Sequence, residues 1–433
     1  MNTAEQLTAQ QRRRAWFDSI CSACWGALAP ALLQDSAIII IFATLLGAGD
    51  MLSMVTTSAP SVANFLLLIP AAYLAGKIGC KKTLIITASF ASLMIVFLAA
   101  SPWFGGWTRA VLLGSILLFS LSMTIYTSAW FPLAYGFLLK DERNRYFGLM
   151  RFSWQILTAA FFFVCGLVIG KNPEIWMLQI IILVTALGIL GRIFHDSRLP
   201  KDSAPRESLD FKGGMLEAIA NKPLSGFSVY ICFLYLAANS TVPLTFLYLK
   251  KSMVVPDNII VLISSVVLVG MLIGFLMSGQ VIERFGVKRV LLGVHFTFAA
   301  INFGLVFIGG NSAPLLIVLS ALLVFFGFCY ACSSIAISTE MMALVSPHNK
   351  TLSMAFCGTF LAAGMGGSRL FTSLILGSGL LAPVWHIGWM RITHYQTLFL
   401  AYGGFIMFVC LLLVLVPAIF LKTNVAVPKV FET

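Results

Sequence analysis

Gly279-Gln280-Val281-Ile282-Glu283-Arg284-Phe285-Gly286-Val287-Lys288-Arg289 is a short charged segment between two long apolar runs, 259–278 before it and 290–308 after it. Each run has about the length a helix needs to cross a bilayer. The layout recurs 207 residues earlier. Ala72-Tyr73-Leu74-Ala75-Gly76-Lys77-Ile78-Gly79-Cys80-Lys81-Lys82 again sets a basic residue, a spacer, a glycine, a spacer and two basic residues between apolar runs. A basic hairpin repeated at a large fixed offset predicts a duplicated membrane protein.

Composition agrees. The 433 residues are 59% hydrophobic and 10% charged, with a mean hydropathy of +0.96, whereas soluble domains carry about 25% charged residues. The apolar runs are continuous over about 20 residues, so helices and not barrel strands are the expected spanning element. The net charge of +12 lies in short loops, without the long basic run that nucleic acid would need, and no nucleic-acid partner is expected. Cys21/Cys24 and Cys329/Cys332 lie on apolar helices without a second pair or a histidine at zinc-ligand spacing. They are read as packing residues, and no metal and no cofactor is expected. The apolar run behind Arg12-Arg13-Arg14 is too long for a secretory signal and is read as an uncleaved first helix.

Twelve spans are expected, at about 16–46, 51–75, 83–101, 109–137, 148–170, 175–194, 223–248, 258–281, 290–309, 314–341, 351–379 and 396–421. The polar segment 195–222 divides a first bundle, 1–194, from a second, 223–433. The offset continues outside the hairpins, since Asp50 opens helix 2 and Asp257 opens helix 8. An extra aromatic loop at 379–395, with Trp385, Trp389 and Tyr395, suits a membrane-interface belt. The expected fold is thus all-α and integral to the membrane, with two pseudo-symmetric six-helix bundles. Of the 28 Lys and Arg residues, 22 fall on the side of the N-terminus and five on the other, with Arg369 alone inside a span. That bias places both termini in the cytoplasm, with the plasma (inner) membrane the expected location.

These residues resemble the major facilitator superfamily over essentially the whole chain. The family's signature between helices 2 and 3 reads Gly, three residues, Asp or Glu, Arg, any residue, Gly, then a basic cluster. The copy at Gly279 to Arg289 supplies it through Glu283, Arg284, Gly286, Lys288 and Arg289, and departs at Val287. The first copy keeps Lys77, Gly79, Lys81 and Lys82, but has Ala72 for the glycine, Gly76 for the acid and, at the position of Val287 where the family often has arginine, Cys80. Asp141-Glu142-Arg143-Asn144-Arg145 is similar to the family's connection between helices 4 and 5. The resemblance implies that the acid of the hairpin touches a helix N-terminus of the opposite half and favours the outward-facing state. Glu283 suits that role and Gly76 cannot fill it, so one latch is expected at this face. The alternative is that the hairpins only fix topology.

Charges inside spans are costly and are read first as functional. Asp35 lies roughly 28 Å into helix 1 and Arg369 roughly 27 Å into helix 11, at 1.5 Å per residue. Either the two pair across the halves, or Asp35 takes a coupling proton while Arg369 meets substrate; a static structural pair is the bland alternative. Gln34 and Ser36 flank Asp35, and Asn239-Ser240-Thr241-Val242-Pro243 interrupts helix 7. Tyr126 and Trp130 on helix 4, Trp154 and Gln155 on helix 5 and Tyr330 on helix 10 complete the candidate substrate set. In the family helices 1, 4, 7 and 10 line the cavity. Packing is the competing reading for these aromatics. Gly166/Gly170 on helix 5 and Gly270/Gly274 on helix 8 are spaced for close helix approach and are expected where those helices meet across the halves.

No GxSxG, HExxH or GxGxxG occurs, and Gly166 to Asn172 misses the P-loop pattern. The resulting expectation is a monomeric secondary or facilitative transporter working by alternating access. Its partners would be the lipid bilayer, a small polar solute such as a sugar, and H+ as a candidate coupling ion. A membrane-embedded enzyme, a non-transporting sensor and, within transport, an efflux role are the alternatives. Helix 5 lacks the Gly-Pro pair of the family's drug antiporters, which disfavours efflux.

Overall fold

The computed structural model describes residues 7–139, 142–200, 211–345, 350–388 and 390–415. Lys140, Asp141, Lys201, Arg206, His348, Trp389, Lys422 and Lys429 lie outside these, as do the side chains of Lys77, Arg143 and Lys350. Among the described residues eleven segments are long and apolar enough to cross a membrane, and one of them, 55 residues long, covers two helices. Twelve spans result.

The first bundle is built from α1 (Ala9–Gln34) and α2 (Ile38–Leu45), which together make span 1, then α3 (Asp50–Ile78), α4 (Cys80–Ala100), α5 (Thr108–Tyr135), α6 (Arg143–Val168) and α7 (Ile175–Arg198). A short helix, α8 (Phe211–Ala220), leads to the second bundle. There α9 (Lys222–Ala238) and α10 (Thr241–Lys251) make span 7, followed by α11 (Asp257–Phe285), α12 (Val287–Val306), α13 (Ala313–Leu344), α14 (Lys350–Ser378) and α15 (His394–Leu415). Across the halves α3 packs on α14 and α6 on α11.

Both hairpins turn on glycine. Gly79 has φ of 100° and Gly286 of 76°, a backbone region that side chains with a Cβ rarely enter. We call the face carrying these turns the hairpin end, and the other the far end.

Spans 1 and 7 are both broken, span 1 well past mid-length and span 7 a little past it. In span 1 the Asp35 N–H still donates to Ala31 O at 2.9 Å, then Ser36 Oγ accepts from Ile38 N at 3.1 Å and restarts the helix. In span 7 the break falls at Asn239–Ser240. Pro243 sits in the first turn after it, where a missing N–H costs nothing. The sequence pointed to the second break through Pro243. It gave no comparable sign of the first.

Three expectations are adjusted. Helix 6 continues to Arg198 instead of stopping at 194, because Arg192 and Asp196 are buried inside the first bundle rather than solvated in a linker. The aromatic loop after α14 folds into a hairpin of β1 (Val384–Ile387) and β2 (Met390–Thr393), antiparallel, with Val384 opposite Thr393. Of the glycine pairs, Gly166 faces α11 across the halves, but Gly270 and Gly274 face α13 in their own half. A Cβ on Gly274 would lie 2.5 Å from Phe328 O and 2.8 Å from Ala331 Cβ. Gly274→Ala should therefore cost about 1–3 kcal/mol through overpacking, read as a lower melting temperature of the purified protein. An unchanged melting curve would contradict this packing.

Candidate functional site

Arg369 is the centre of the site. It is 4% exposed and lies on α14, which belongs to the second half. Its Nη1 donates to Thr57 O on α3, and its Nη2 donates to Gln34 O at 3.4 Å. Both acceptors belong to the first half. Gln34 ends α1, where carbonyls lose their helical donors; Thr57 sits on α3 beside Pro60, whose missing N–H frees the adjacent Thr56 O. Arg369 Nε is buried and has no hydrogen-bond partner among the described residues.

Asp35 lies within electrostatic reach of Arg369, and Tyr330 within reach of both. The expectation of a pair is refined here. Asp35 and Arg369 are not in direct ion-pair contact, and the guanidinium is held by backbone carbonyls instead. Asp35 is half-buried, and its carboxylate accepts no hydrogen bond among the described residues. Tyr330 is half-buried and meets Tyr235 edge-on, with ring centroids 5.8 Å apart.

The break in span 7 anchors the helix that carries Arg369. Ser240 N donates to Ser368 Oγ at 3.0 Å, and the two hydroxyls lie 2.9 Å apart. Thr372 Oγ1 donates to Ser240 Oγ at 2.7 Å, and Asn239 Nδ2 to Met365 O at 3.1 Å. These bonds fix α14 one residue before Arg369, which reaches the other way, into the first half.

The remaining candidates are occupied elsewhere. Thr241 is fully buried and donates to Asn302 Oδ1 at 3.1 Å, inside the second bundle. Gln155 is buried and its Nε2 donates to Leu268 O at 3.2 Å, a joint between α6 and α11. Trp154, half-buried, precedes it on α6. Trp130 is buried, edge-on to Phe147 at 6.1 Å. Tyr126 is buried and donates to Asp196 Oδ2 at 2.8 Å.

That last bond belongs to a polar cluster the sequence reading missed. Asp196 is fully buried and also accepts from Ser22 Oγ at 2.6 Å. Arg192 stacks over the Tyr126 ring at 4.5 Å and donates from Nε to Ser22 O at 3.3 Å. Asp18, also buried, pairs with His195 Nδ1 at 2.8 Å. Ser19 bonds Tyr146. The cluster ties α1, α5, α6 and α7 together at the hairpin end of the first half. Arg192 and Asp196 stand four apart, on one helix face, and that spacing was the available signal.

In the hairpin itself Glu283, Arg284, Gly286, Lys288 and Arg289 are exposed, as is Lys82, while Gly79 and Lys81 are half-buried. Lys81 Nζ donates to Leu199 O.

The family model described as Major Facilitator Superfamily matches residues 20–368. The chain belongs to the major facilitator superfamily. None of the curated proteins is similar enough in sequence to match. Among solved structures of this superfamily fold, a point mutant of the nucleoside transporter NupG is 17% identical, with a TM-score of 0.70 over 95% of this chain and 100% of that one. A POT family transporter in complex with a thioalcohol-conjugated peptide is 10% identical, with a TM-score of 0.71 over 95% and 97%. A bacterial homolog of the human lysosomal transporter Spinster, inward-facing and unoccupied, is 14% identical, with a TM-score of 0.63 over 95% and 97%. At these identities the likeness is one of fold.

Proposed function

We propose that this major facilitator superfamily protein is a secondary transporter that moves a small polar organic solute by alternating access. The observation that carries this reading is Arg369, a buried cation of one half held by carbonyls of the other beside an unbonded carboxylate, Asp35, at a helix break. Discontinuous helices near the membrane midplane are where transporters of this architecture place substrate and coupling ions. Rocking of the halves would have to break the bonds from Arg369 to Gln34 and Thr57. Asp35 and the free Nε of Arg369 are the groups such a rearrangement would engage. Asp35 serves as the proton site in this reading, and Tyr330 with Asn239 borders the solute.

The hairpin end is assigned to the cytoplasm by its basic residues. The far end is closed in this form by Arg369 and by Ser373 Oγ, which donates to Met51 O at 2.8 Å. The exposed Glu283 fits an acid whose helix partner is met only in the outward-open form. Glu283→Gln should then shift the population about two- to fivefold toward the inward-open form, seen as lower labelling of cysteines introduced at the far end. Unchanged labelling would leave the hairpin with topology alone.

Sugar-bearing solutes come first as substrate, since amide and aromatic groups suit neutral polar compounds and NupG is a nucleoside transporter. A thermal-shift screen of nucleosides, sugars, amino acids and short peptides tests this. A ligand at 100 times its Kd stabilises by about 2.7 kcal/mol. A shift only with peptides or amino acids would contradict the sugar-bearing class.

A further inference from the structure

The duplication sets an aspartate at the first position of α3, Asp50, and at the first position of α11, Asp257. Both lie at the far end, and both gain from the helix dipole there. Their surroundings differ. Asp257 is 2% exposed and is held by Lys250 Nζ at 2.6 and 2.7 Å, a residue of its own half. Asp50 is held from the other half. Tyr395 Oη donates to its Oδ2, His394 Nε2 lies 3.7 Å from the same oxygen, and Lys251 Nζ lies 4.0 Å from Oδ1. The first two come from the start of α15 and the third from the end of α10. The carboxylate keeps a quarter of its surface exposed, so its bonds can exchange for water.

We propose that Asp50 is a latch that holds the far end shut, grasped by Tyr395, His394 and Lys251 of the second half. The inference rests on the alternating-access reading above. Its geometry is local: the next residue, Met51, is where Gly377 and Ser373 of α14 close on α3, so the start of α3 cannot move away without parting Asp50 from all three groups. In the second half the equivalent carboxylate is neutralised at home by Lys250, and only the Asp257 backbone crosses the halves, its N–H donating to Lys171 O at 3.1 Å, so its side chain is no latch. Each face then carries one acidic latch, from opposite halves: Glu283 for the hairpin end and Asp50 for the far end. The β-hairpin between α14 and α15 supports the grip. Trp385 Nε1 donates to Thr397 Oγ1 at 2.8 Å and Thr393 N to Gln396 Oε1 at 2.9 Å, which orient the turn carrying His394 and Tyr395.

Amide hydrogen exchange on the full-length protein in phosphatidylethanolamine–phosphatidylglycerol nanodiscs tests this without needing the substrate. Asp50→Asn and the milder Tyr395→Phe should each speed exchange in peptides spanning 45–55 and 249–260, about tenfold for Asp50→Asn, the factor expected for a lost charge-assisted bond. Peptides covering 279–290 should slow in parallel as the hairpin end closes. Unchanged far-end exchange in variants that melt like the wild type would overturn the latch. Should Asp50→Asn not fold, Tyr395→Phe decides by the same peptides. A wild-type protein that carries no solute in vesicles would instead overturn the transport reading, a separate result.

Discussion

Arg369→Met is expected to reduce solute uptake by more than about tenfold and to loosen the far end. The side chain bridges two carbonyls of the first half, Thr57 O and Gln34 O, from a fully interior position on α14. Methionine fills similar volume but donates nothing. A buried carbonyl, Thr57 O, and a partly buried one, Gln34 O, lose a charged donor, and the loss at the buried one costs about 1–3 kcal/mol. Asp35 loses its neighbouring cation at the same time. Arg369→Lys should recover only part of the uptake, because an ammonium cannot reach two carbonyls with the forked geometry of a guanidinium. Initial uptake rates per folded protein in reconstituted vesicles read this directly. Rates within twofold of wild type for Arg369→Met would remove it from the transport cycle.

Asp35→Asn should separate driving force from movement. The amide keeps the size of the carboxyl but binds no proton at working pH. If Asp35 carries the coupling proton, the variant loses accumulation against a gradient while still exchanging labelled for unlabelled solute. A pH difference of one unit is worth about 1.4 kcal/mol per proton, so one proton per solute supports about tenfold accumulation. The variant should equilibrate at a ratio of about one. Retained accumulation would move the proton site elsewhere.

The membrane class, the helix count and the duplication were legible because they rest on long-range composition. A bilayer admits few alternatives to continuous apolar helices, and Gly79 and Gly286 turn where the hairpin pattern put them. The site was legible only in part. Asp35 and Arg369 stand out as charges inside spans, a signal of cost rather than of geometry. What the pattern could not show is direction. Tyr126 and Thr241 sit on helices read as cavity-lining, yet they turn into their own bundles toward Asp196 and Asn302. Asp196 itself was hidden because a charge near the end of an apolar run reads as loop. Only packing reveals that Ser22 and Tyr126 surround it. Tyr395, read as part of an interface belt, instead bonds Asp50 across the halves, a contact between residues too distant in sequence for any local pattern to expose.

The most direct test reconstitutes the wild type and Asp35→Asn in proteoliposomes and follows a labelled solute chosen from the thermal-shift hits, with and without an imposed inward proton gradient. The account predicts about tenfold accumulation per pH unit for the wild type, and exchange without accumulation for Asp35→Asn. No protein-dependent solute movement in either condition would contradict a transporter, and equal accumulation by both proteins would contradict Asp35 as its proton site.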